Sequence, residues 1–217
     1  MDIHPHQQVS IPVDHVTLTG DLIIPLKAKA IIIFAHGSGS SRLSIRNQKV
    51  AEYLHERDFG TLLFDLLTEE EDKDYDNRFD IDMLSKRLVG VTKWLKKLPD
   101  TKDYHLGYFG ASTGAASALQ AAAQIAEIGA VVSRGGRPDL ASLEALQNVH
   151  APTLLIVGSL DHDVLQLNKA TYLQLECEKK LEVVDGATHL FEEPGKMEIV
   201  SELAGNWFDK HLITVKV

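Results

Sequence analysis

The chain has 217 residues, of which 44% are hydrophobic and 24% charged, and its formal net charge is −9 at pH 7. This composition is ordinary for a globular protein and argues against general disorder. The acidic balance argues against a nucleic-acid interface built on a broad basic face. The length predicts one domain spanning residues 1–217.

Three further features concern the compartment. No apolar run approaches the ~20 residues that a membrane helix needs. The polar start, "MDIHPHQQVS", lacks the apolar segment of a signal peptide. The single cysteine, Cys177, allows no internal disulfide. We therefore expect a cytoplasmic protein that binds neither membranes nor nucleic acid, and its oligomeric state stays open.

The chain opens with alternating apolar and polar residues in "QQVSIPVDHVTLTGDLIIP", which predicts an antiparallel pair of edge strands. Short apolar runs follow, and such runs are typical of parallel strands buried on both faces. They are "AIIIFAHG", "TLLFDLL", "YHLGYFG", "IGAVVS", "PTLLIVG" and "KLEVVDG".

Helical patterns fill the gaps between these runs. In "DIDMLSKRLVGVTKWLKKLPD", apolar residues recur every three or four positions, Asp80 can cap the start, and Pro99 follows the end. Further helices are predicted near 46–58, 113–127, 139–147, 164–178 and 196–212. The alternation predicts an α/β fold with a mostly parallel central sheet, an antiparallel N-terminal edge and helices on both faces.

One short motif lies where a strand is predicted to turn into a helix. Gly110-Ala111-Ser112-Thr113-Gly114 follows "HLGYF" and precedes "TGAASALQAAAQIA". In a nucleophile elbow, a serine occupies the tip of such a turn, and flanking glycines let strand and helix approach closely. The motif arises by chance in roughly one protein in fourteen of this length. A plain tight turn is therefore the alternative, and residues elsewhere in the chain must distinguish it from a nucleophile elbow.

A serine nucleophile requires a general base and a carboxylate that orients the base. Asp161 follows the predicted strand "PTLLIVG", and His189 follows "KLEVVDG". The order Ser112, Asp161, His189 is the order in which enzymes with this elbow carry their triad. Asp163 competes for the role of the acid, but it can instead cap a helix beginning near Val164. "DHD" also resembles a metal site, yet no second ligand cluster is visible, and we expect no metal and no cofactor.

Acyl transfer also needs hydrogen-bond donors for an oxyanion. One expected donor is the backbone N–H of Thr113, directly after the nucleophile. The loop His36-Gly37-Ser38-Gly39 follows the strand "AIIIFA" and is similar to the HG-type oxyanion motif of esterases, so the backbone of Ser38 is the second expected donor. A phosphate loop is disfavoured because the G-K-[ST] ending is absent. His36 is interpreted as structural.

Several arginines are predicted to lie near this site. Arg134 and Arg137 follow a central strand in "AVVSRGGRPDL", and Arg42 and Arg46 follow the oxyanion loop. In a chain of net charge −9, Arg42, Arg134 and Arg137 are candidates for binding an anionic substrate, because guanidinium groups bind carboxylates and phosphates with paired hydrogen bonds. The alternative is that they pair with acidic side chains of the chain and tie the rim of the site together.

These motifs together resemble the α/β-hydrolase superfamily, specifically the small, lidless proteins grouped with dienelactone hydrolases. The resemblance covers nearly the whole chain. It rests on "HGSGSSRLSIRN", "TLLFDLLTEEE", "GASTG", "SRGGRPDLA", "LLIVGSLDHDV" and "GATHLFEEPG". It implies a serine hydrolase with Ser112, Asp161 and His189 as its triad, no cap domain, and an open, shallow site.

One position departs from dienelactone hydrolase itself, which uses a cysteine where this chain has Ser112. Dienelactone is therefore disfavoured as the substrate, and the expected activity is cleavage of a small carboxylic ester through an acyl-enzyme. A thioesterase or an acyltransferase with the same triad is an alternative. A non-catalytic binding protein on a hydrolase fold is another, because fold does not fix function.

Overall fold

The computed structural model of the protein describes residues 6–213. Within them, eight strands form one sheet in the order β1-β2-β4-β3-β5-β6-β7-β8. The strands are β1 (Gln7–Val13), β2 (Val16–Ile23), β3 (Ala30–Ala35), β4 (Gly60–Phe64), β5 (His105–Ala111), β6 (Ile128–Arg134), β7 (Thr153–Gly158) and β8 (Lys179–Val184). The α-helices are α1 (Ile45–Glu56), α2 (Ile81–Lys97), α3 (Thr113–Ala122), α4 (Leu143–Gln147), α5 (His162–Gln174) and α6 (Lys196–Leu212).

The sheet is mostly parallel, as the sequence predicts. β1 pairs with β2 and β2 with β4 in antiparallel fashion, whereas every other pair is parallel. The expected antiparallel pair is therefore present. Of its two strands only β1 lies at an edge of the sheet, because β4 pairs with the other side of β2. The carboxyl ends of the parallel strands share one edge of the sheet, which is where α/β folds place their ligands.

Helices cover both faces of the sheet, and two apolar cores result. On one face, α1 and α6 pack on the sheet around residues such as Val132 and Phe208. On the other face, α2 and α3 pack around residues such as Val131 and Leu119. Every residue of β3 is buried because this central strand is covered on both sides.

The helix predictions are confirmed with shifted bounds. The side chain of Asp80 accepts the N–H of Met83 at 2.9 Å and caps α2 as expected. α3 ends at Ala122 rather than near 127, because the chain must turn before β6 and buries Ile125 in doing so. The predicted helix 139–147 is divided, since Ser142 caps a new helix by accepting the N–H of Ala145.

The connection between β6 and β7 matters for access to the sheet edge. Residues 135–152 contain a 3₁₀ turn at Pro138–Leu140 and the five-residue helix α4. These short elements provide no cap over the carboxyl edge, which confirms the expected capless architecture. Within residues 6–213, no helix combines the length and the apolar character needed to cross a membrane.

Candidate active site

Ser112 lies at the tip of a sharp turn between β5 and α3. Its backbone has φ 50° and ψ −122°, a combination that a non-glycine residue adopts only with strain. Two hydrogen bonds hold this turn in place. The N–H of Ser112 donates to the carbonyl of Arg134 at 3.2 Å, and the N–H of Arg137 donates to the carbonyl of Ser112 at 3.0 Å. The chain after β6 therefore braces the strained serine.

The two glycines of the motif are required by close backbone approach. A Cβ on Gly110 would lie 2.5 Å from the Cα of Ala115. A Cβ on Gly114 would lie 2.2 Å from the carbonyl oxygen of Ala35. Because the opposing atoms belong to the backbone, they cannot rotate away. The elbow thus needs glycine at both positions to bring α3 against β5 and β3.

Asp161 and His189 form a hydrogen-bonded pair at the same edge of the sheet. Asp161 stands at the N-cap position of α5, yet its side chain caps no helix N–H. Its Oδ2 instead lies 2.6 Å from Nδ1 of His189, in the loop between β8 and α6. Asp163 is exposed in the first turn of α5. The expected role of Asp163 as the helix cap is therefore wrong, because α5 begins at His162, two residues before the expected start at Val164.

The pair determines which ring nitrogen of His189 is basic. An ionised carboxylate can only accept, so Nδ1 carries the proton and donates it to Asp161. In the neutral ring this leaves the lone pair on Nε2 as the proton acceptor. The side chain of His189 is 37% exposed and that of Asp161 is 14% exposed. The carboxylate is thus shielded while the imidazole faces the solvent side of the sheet edge.

Glycine backbones border the space around Ser112 and His189. A Cβ on Gly37 would lie 3.0 Å from Cβ of Ser112 and 3.7 Å from its Oγ. A Cβ on Gly135, which has φ +51°, would lie 3.6 Å from Cε1 of His189.

Among the hydrogen bonds of residues 6–213, none joins Ser112 Oγ to His189. Such bonds are often long in unliganded enzymes and tighten when substrate binds.

The two expected oxyanion donors are linked to each other. Thr113 begins α3, where the first N–H groups of a helix have no intrahelical acceptor. The N–H of Ser38 donates a 2.8 Å hydrogen bond to Oγ1 of Thr113. In this state the Ser38 amide is therefore bonded to a side chain, and an oxyanion would have to compete with that hydroxyl for it.

His36 fixes the loop that carries Ser38. Its Nδ1 donates to the carbonyl of Gly37 at 2.9 Å, and its Nε2 accepts the N–H of Leu66 at 3.0 Å. Burial lowers the pKa of His36 from its ordinary value, which favours the neutral ring that these two bonds need. This geometry agrees with the structural role expected for His36.

Two of the three candidate substrate-binding arginines are already paired with carboxylates. Arg42 lies 3.0 Å from Asp21 and 2.7 Å from Asp65. Arg137 binds Asp139 with two hydrogen bonds, of 2.8 and 2.7 Å. Their charges are neutralised within the chain, so the geometry favours the alternative in which both tie the rim together.

Arg134 is different, because it is buried and has no carboxylate partner among residues 6–213. It is 6% exposed, and its Nη2 donates to Oδ1 of Asn47 at 3.3 Å. Sequence reasoning missed Asn47, since an asparagine early in a helix carries no motif. It also missed the brace on Ser112 from the chain after β6. The double glycine in "SRGGRPD" was the available signal for that brace.

A metal site is not indicated by the side chains in the described part of the chain. There, no group of three or more His, Cys, Asp or Glu residues is arranged to hold a metal ion. The "DHD" stretch instead places Asp161 on His189, with His162 and Asp163 exposed.

A family model described as an alpha/beta hydrolase domain matches residues 28–204, and the chain belongs to this family. The chain is similar to a dienelactone hydrolase from Anabaena variabilis, with 52% identity and a TM-score of 0.92 over 97% of this chain and 100% of the other. It also resembles an esterase from Pyrococcus furiosus, with 20% identity and a TM-score of 0.81 over 96% of this chain and 92% of that one. At that lower identity the likeness concerns the fold alone.

Two curated relatives carry a different name. Proteins called "putative phosphoribosyl transferase" in two strains of Mycobacterium tuberculosis are 54% identical to this chain over 207 residues. The match covers 95% of this chain and 46% of each relative. The chain therefore spans about half the length of these relatives.

Proposed function

We propose that this chain is a serine hydrolase that cleaves small carboxylic esters through an acyl-enzyme. The single observation that carries the proposal is the Asp161–His189 hydrogen bond of 2.6 Å, formed at the sheet edge that also presents the strained Ser112. The 52% identity to a dienelactone hydrolase supports hydrolytic chemistry. Serine at position 112 favours simple esters, as the sequence predicts.

In the proposed acylation step, Ser112 Oγ attacks the ester carbonyl while Nε2 of His189 takes the hydroxyl proton. Asp161 holds the ring in the correct tautomer and stabilises the imidazolium that forms. The negative charge on the carbonyl oxygen is stabilised by the N–H of Thr113 and by that of Ser38, once the latter turns from the Thr113 hydroxyl. Collapse of the tetrahedral species breaks the ester bond, and His189 gives its proton to the departing alcohol.

Deacylation reverses these roles with water. His189 removes a proton from a water molecule, whose oxygen attacks the acyl carbon. The bond to Ser112 Oγ then breaks, and the oxygen recovers its proton from His189. The capless edge leaves the acyl-enzyme open to water, which favours hydrolysis over transfer to another acceptor. A thioester would enter the same acylation step with a thiol as the leaving group.

Phosphoribosyl transfer is not proposed for this chain. The M. tuberculosis relatives that carry this name have more than half of their length outside the match. A strained serine and an orienting carboxylate on a histidine are features that acyl transfer uses, and they account for the site without a second activity.

Steady-state kinetics on small activated esters test the proposal. Wild type should hydrolyse 4-nitrophenyl acetate and the matching thioester, and Ser112→Ala should lose that turnover. Ser117→Ala is a matched control, because Ser117 is a buried serine of α3, the helix that follows Ser112, and its hydroxyl makes no hydrogen bond within the described structure. It should keep the wild-type rate. Equal turnover by wild type and Ser112→Ala would refute the mechanism. Adding an alcohol and measuring transesterification separates hydrolase from acyltransferase.

A further inference from the structure

Arg134 is the one arginine of the chain without a carboxylate partner in the described structure. The sequence holds seven arginines, and the other six lie within 4.0 Å of an Asp or Glu oxygen. Arg134 is also 94% buried, and its Nε has no acceptor among residues 6–213. A buried cation without a counter-charge opposes folding, so its presence needs a reason.

The electrostatic environment reinforces this conclusion. Burial, together with repulsion from Arg46, lowers the pKa of Arg134 to about 10, so the guanidinium stays charged at neutral pH. Within residues 6–213, the carboxylate partner of Arg46 is the exposed Glu192, at 2.8 Å, and the Nε of Arg46 is likewise buried without an acceptor. Two guanidinium groups therefore lie close enough to repel each other while retaining unused donors.

The position of Arg134 connects it to the proposed catalytic centre. It ends β6 opposite Ala111, and its carbonyl accepts the N–H of Ser112 at 3.2 Å. Neighbouring strands lie only about 4.8 Å apart. By the two-residue period of a strand, its side chain points to the same face as Val132, toward α1, where it meets Asn47.

The loop of His189 closes the other side of this region. Glu192, three residues after His189, receives the side chain of Arg46 from the start of α1. Arg134 is thus joined to the serine elbow through its backbone carbonyl, Asn47 is bonded to Arg134, and Arg46 is joined to the histidine loop through Glu192. We call these three residues the 46/47/134 cluster.

We propose that the 46/47/134 cluster is an anion subsite that binds a carboxylate or a phosphate carried by the ester substrate. The inference rests on the proposed function and names its substrate class. The bound anion would supply the counter-charge that Arg134 lacks. Because Oδ1 of Asn47 is occupied by Arg134, the amide NH₂ of Asn47 is left as a further donor. Arg46 would complete the site from the rim.

Paired substrates test the kinetic consequence. The 4-nitrophenyl esters of hexanoic and adipic acid have equal chain length and differ by a terminal carboxylate. Wild type should have the higher kcat/KM for the adipate ester, and the ratio of the two values should fall at least tenfold in Arg134→Met. Arg57→Met is the matched control, since Arg57 lies at the far end of α1 and pairs with Asp209. It should keep the wild-type ratio.

Binding tests the subsite without catalysis and identifies the anion. In calorimetric titrations of Ser112→Ala, either inorganic phosphate or adipate should bind, and the one that binds more tightly names the anion class. The additional change Arg134→Met should abolish that binding. Arg46→Met, a change at a partly exposed position, provides a second variant in case Arg134→Met does not fold.

The outcomes separate the two proposals. If wild type hydrolyses neither ester but Ser112→Ala binds an anion through Arg134, the proposed function fails and the subsite stands. If the hexanoate ester is preferred, the ratio is unchanged in Arg134→Met and neither anion binds, the subsite is refuted while the hydrolase stands. Thermal unfolding adds a structural readout. Arg134→Met should unfold at the same or a higher temperature, because it removes an uncompensated buried charge, whereas a lower temperature together with an unchanged ratio would show a purely structural arginine.

Discussion

The backbone N–H of Ser38 donates a 2.8 Å hydrogen bond to the hydroxyl oxygen of Thr113. These residues are 75 positions apart in the chain, and they are the two proposed oxyanion donors. The hydroxyl of Thr113 thus accepts the hydrogen bond that the amide of Ser38 would otherwise donate to an oxyanion. An oxyanion can displace the hydroxyl, because hydrogen bonds to a charged acceptor are roughly twice as strong as neutral ones. Binding the oxyanion in this way still costs the hydrogen bond between Ser38 and Thr113.

Thr113→Val should therefore not slow the proposed reaction. The substitution keeps the branched shape of the side chain and removes the competing acceptor, which is worth about 1 kcal/mol, or about fivefold in rate. We expect kcat/KM for a neutral ester to rise by up to about fivefold, while the free energy of unfolding falls because the partly buried hydrogen bond from Ser38 is lost. Thr113→Ser, which keeps the hydroxyl, is the control. A tenfold or greater loss in Thr113→Val with recovery in Thr113→Ser would mean that the hydroxyl itself serves catalysis.

Asp161→Asn should nearly abolish turnover. An amide at this position can donate to Nδ1 and so stabilise the wrong tautomer of His189, a change that lowers kcat on the order of 10⁴-fold in serine proteases. Asp163→Asn is the matched control, because Asp163 is exposed two residues away. It should change kcat less than about threefold, as expected for a surface substitution. A comparable loss of kcat in both variants would contradict the assignment of Asp161 as the acid that orients His189.

Gly114→Ala should strongly destabilise the fold. The added Cβ would lie 2.2 Å from the carbonyl oxygen of Ala35 and 2.4 Å from that of His36. Gly205→Ala, in α6, is the control, since the atoms nearest to its Cβ would be side-chain atoms of Arg57 and Tyr53 at 3.0 Å rather than backbone atoms. Because alanine favours a helix over glycine by about 1 kcal/mol, this control should stay within that range of wild type. Chemical denaturation measures both, and a fully stable Gly114→Ala would contradict the close packing of the elbow.

His55 should make stability depend on pH. Its Nε2 lies 2.7 Å from Thr61 Oγ1, and burial lowers its pKa from the ordinary 6.5 to about 4. Between these values the unfolded chain binds a proton that the folded chain does not, so stability falls as the pH is lowered from about 6.5 to about 4. His36 acts in the same direction. In His55→Gln, urea denaturation should show a shallower loss of stability over this range, and identical pH profiles would contradict the assignment.

The fold could be predicted largely from short apolar runs, because strands covered on both faces leave a clear pattern. Ser112, Asp161 and His189 could be placed at one edge for the same reason, since the carboxyl ends of parallel strands meet there. The arginines could not be sorted in this way. Arg42 finds Asp21 and Asp65 across the sheet, and no local pattern encodes those distances.

Helix ends show a second limit of the sequence. The residues after Ala122 are good helix formers, yet α3 stops because the packing of Ile125 and the entry to β6 override local propensity. The hydrogen bond from Ser38 to Thr113 has the same character. Each residue could be assigned to the site from its motif, but only the folded backbone brings the amide to the hydroxyl.

The central claim is that Ser112 forms a covalent bond during turnover, and active-site labelling tests it most directly. Wild type is treated with a fluorophosphonate, and its mass is measured before and after digestion. We predict one adduct per chain, located on Ser112, formed more slowly when 4-nitrophenyl acetate competes, and absent from Ser112→Ala. Labelling at another residue, or equal labelling of Ser112→Ala, would contradict it.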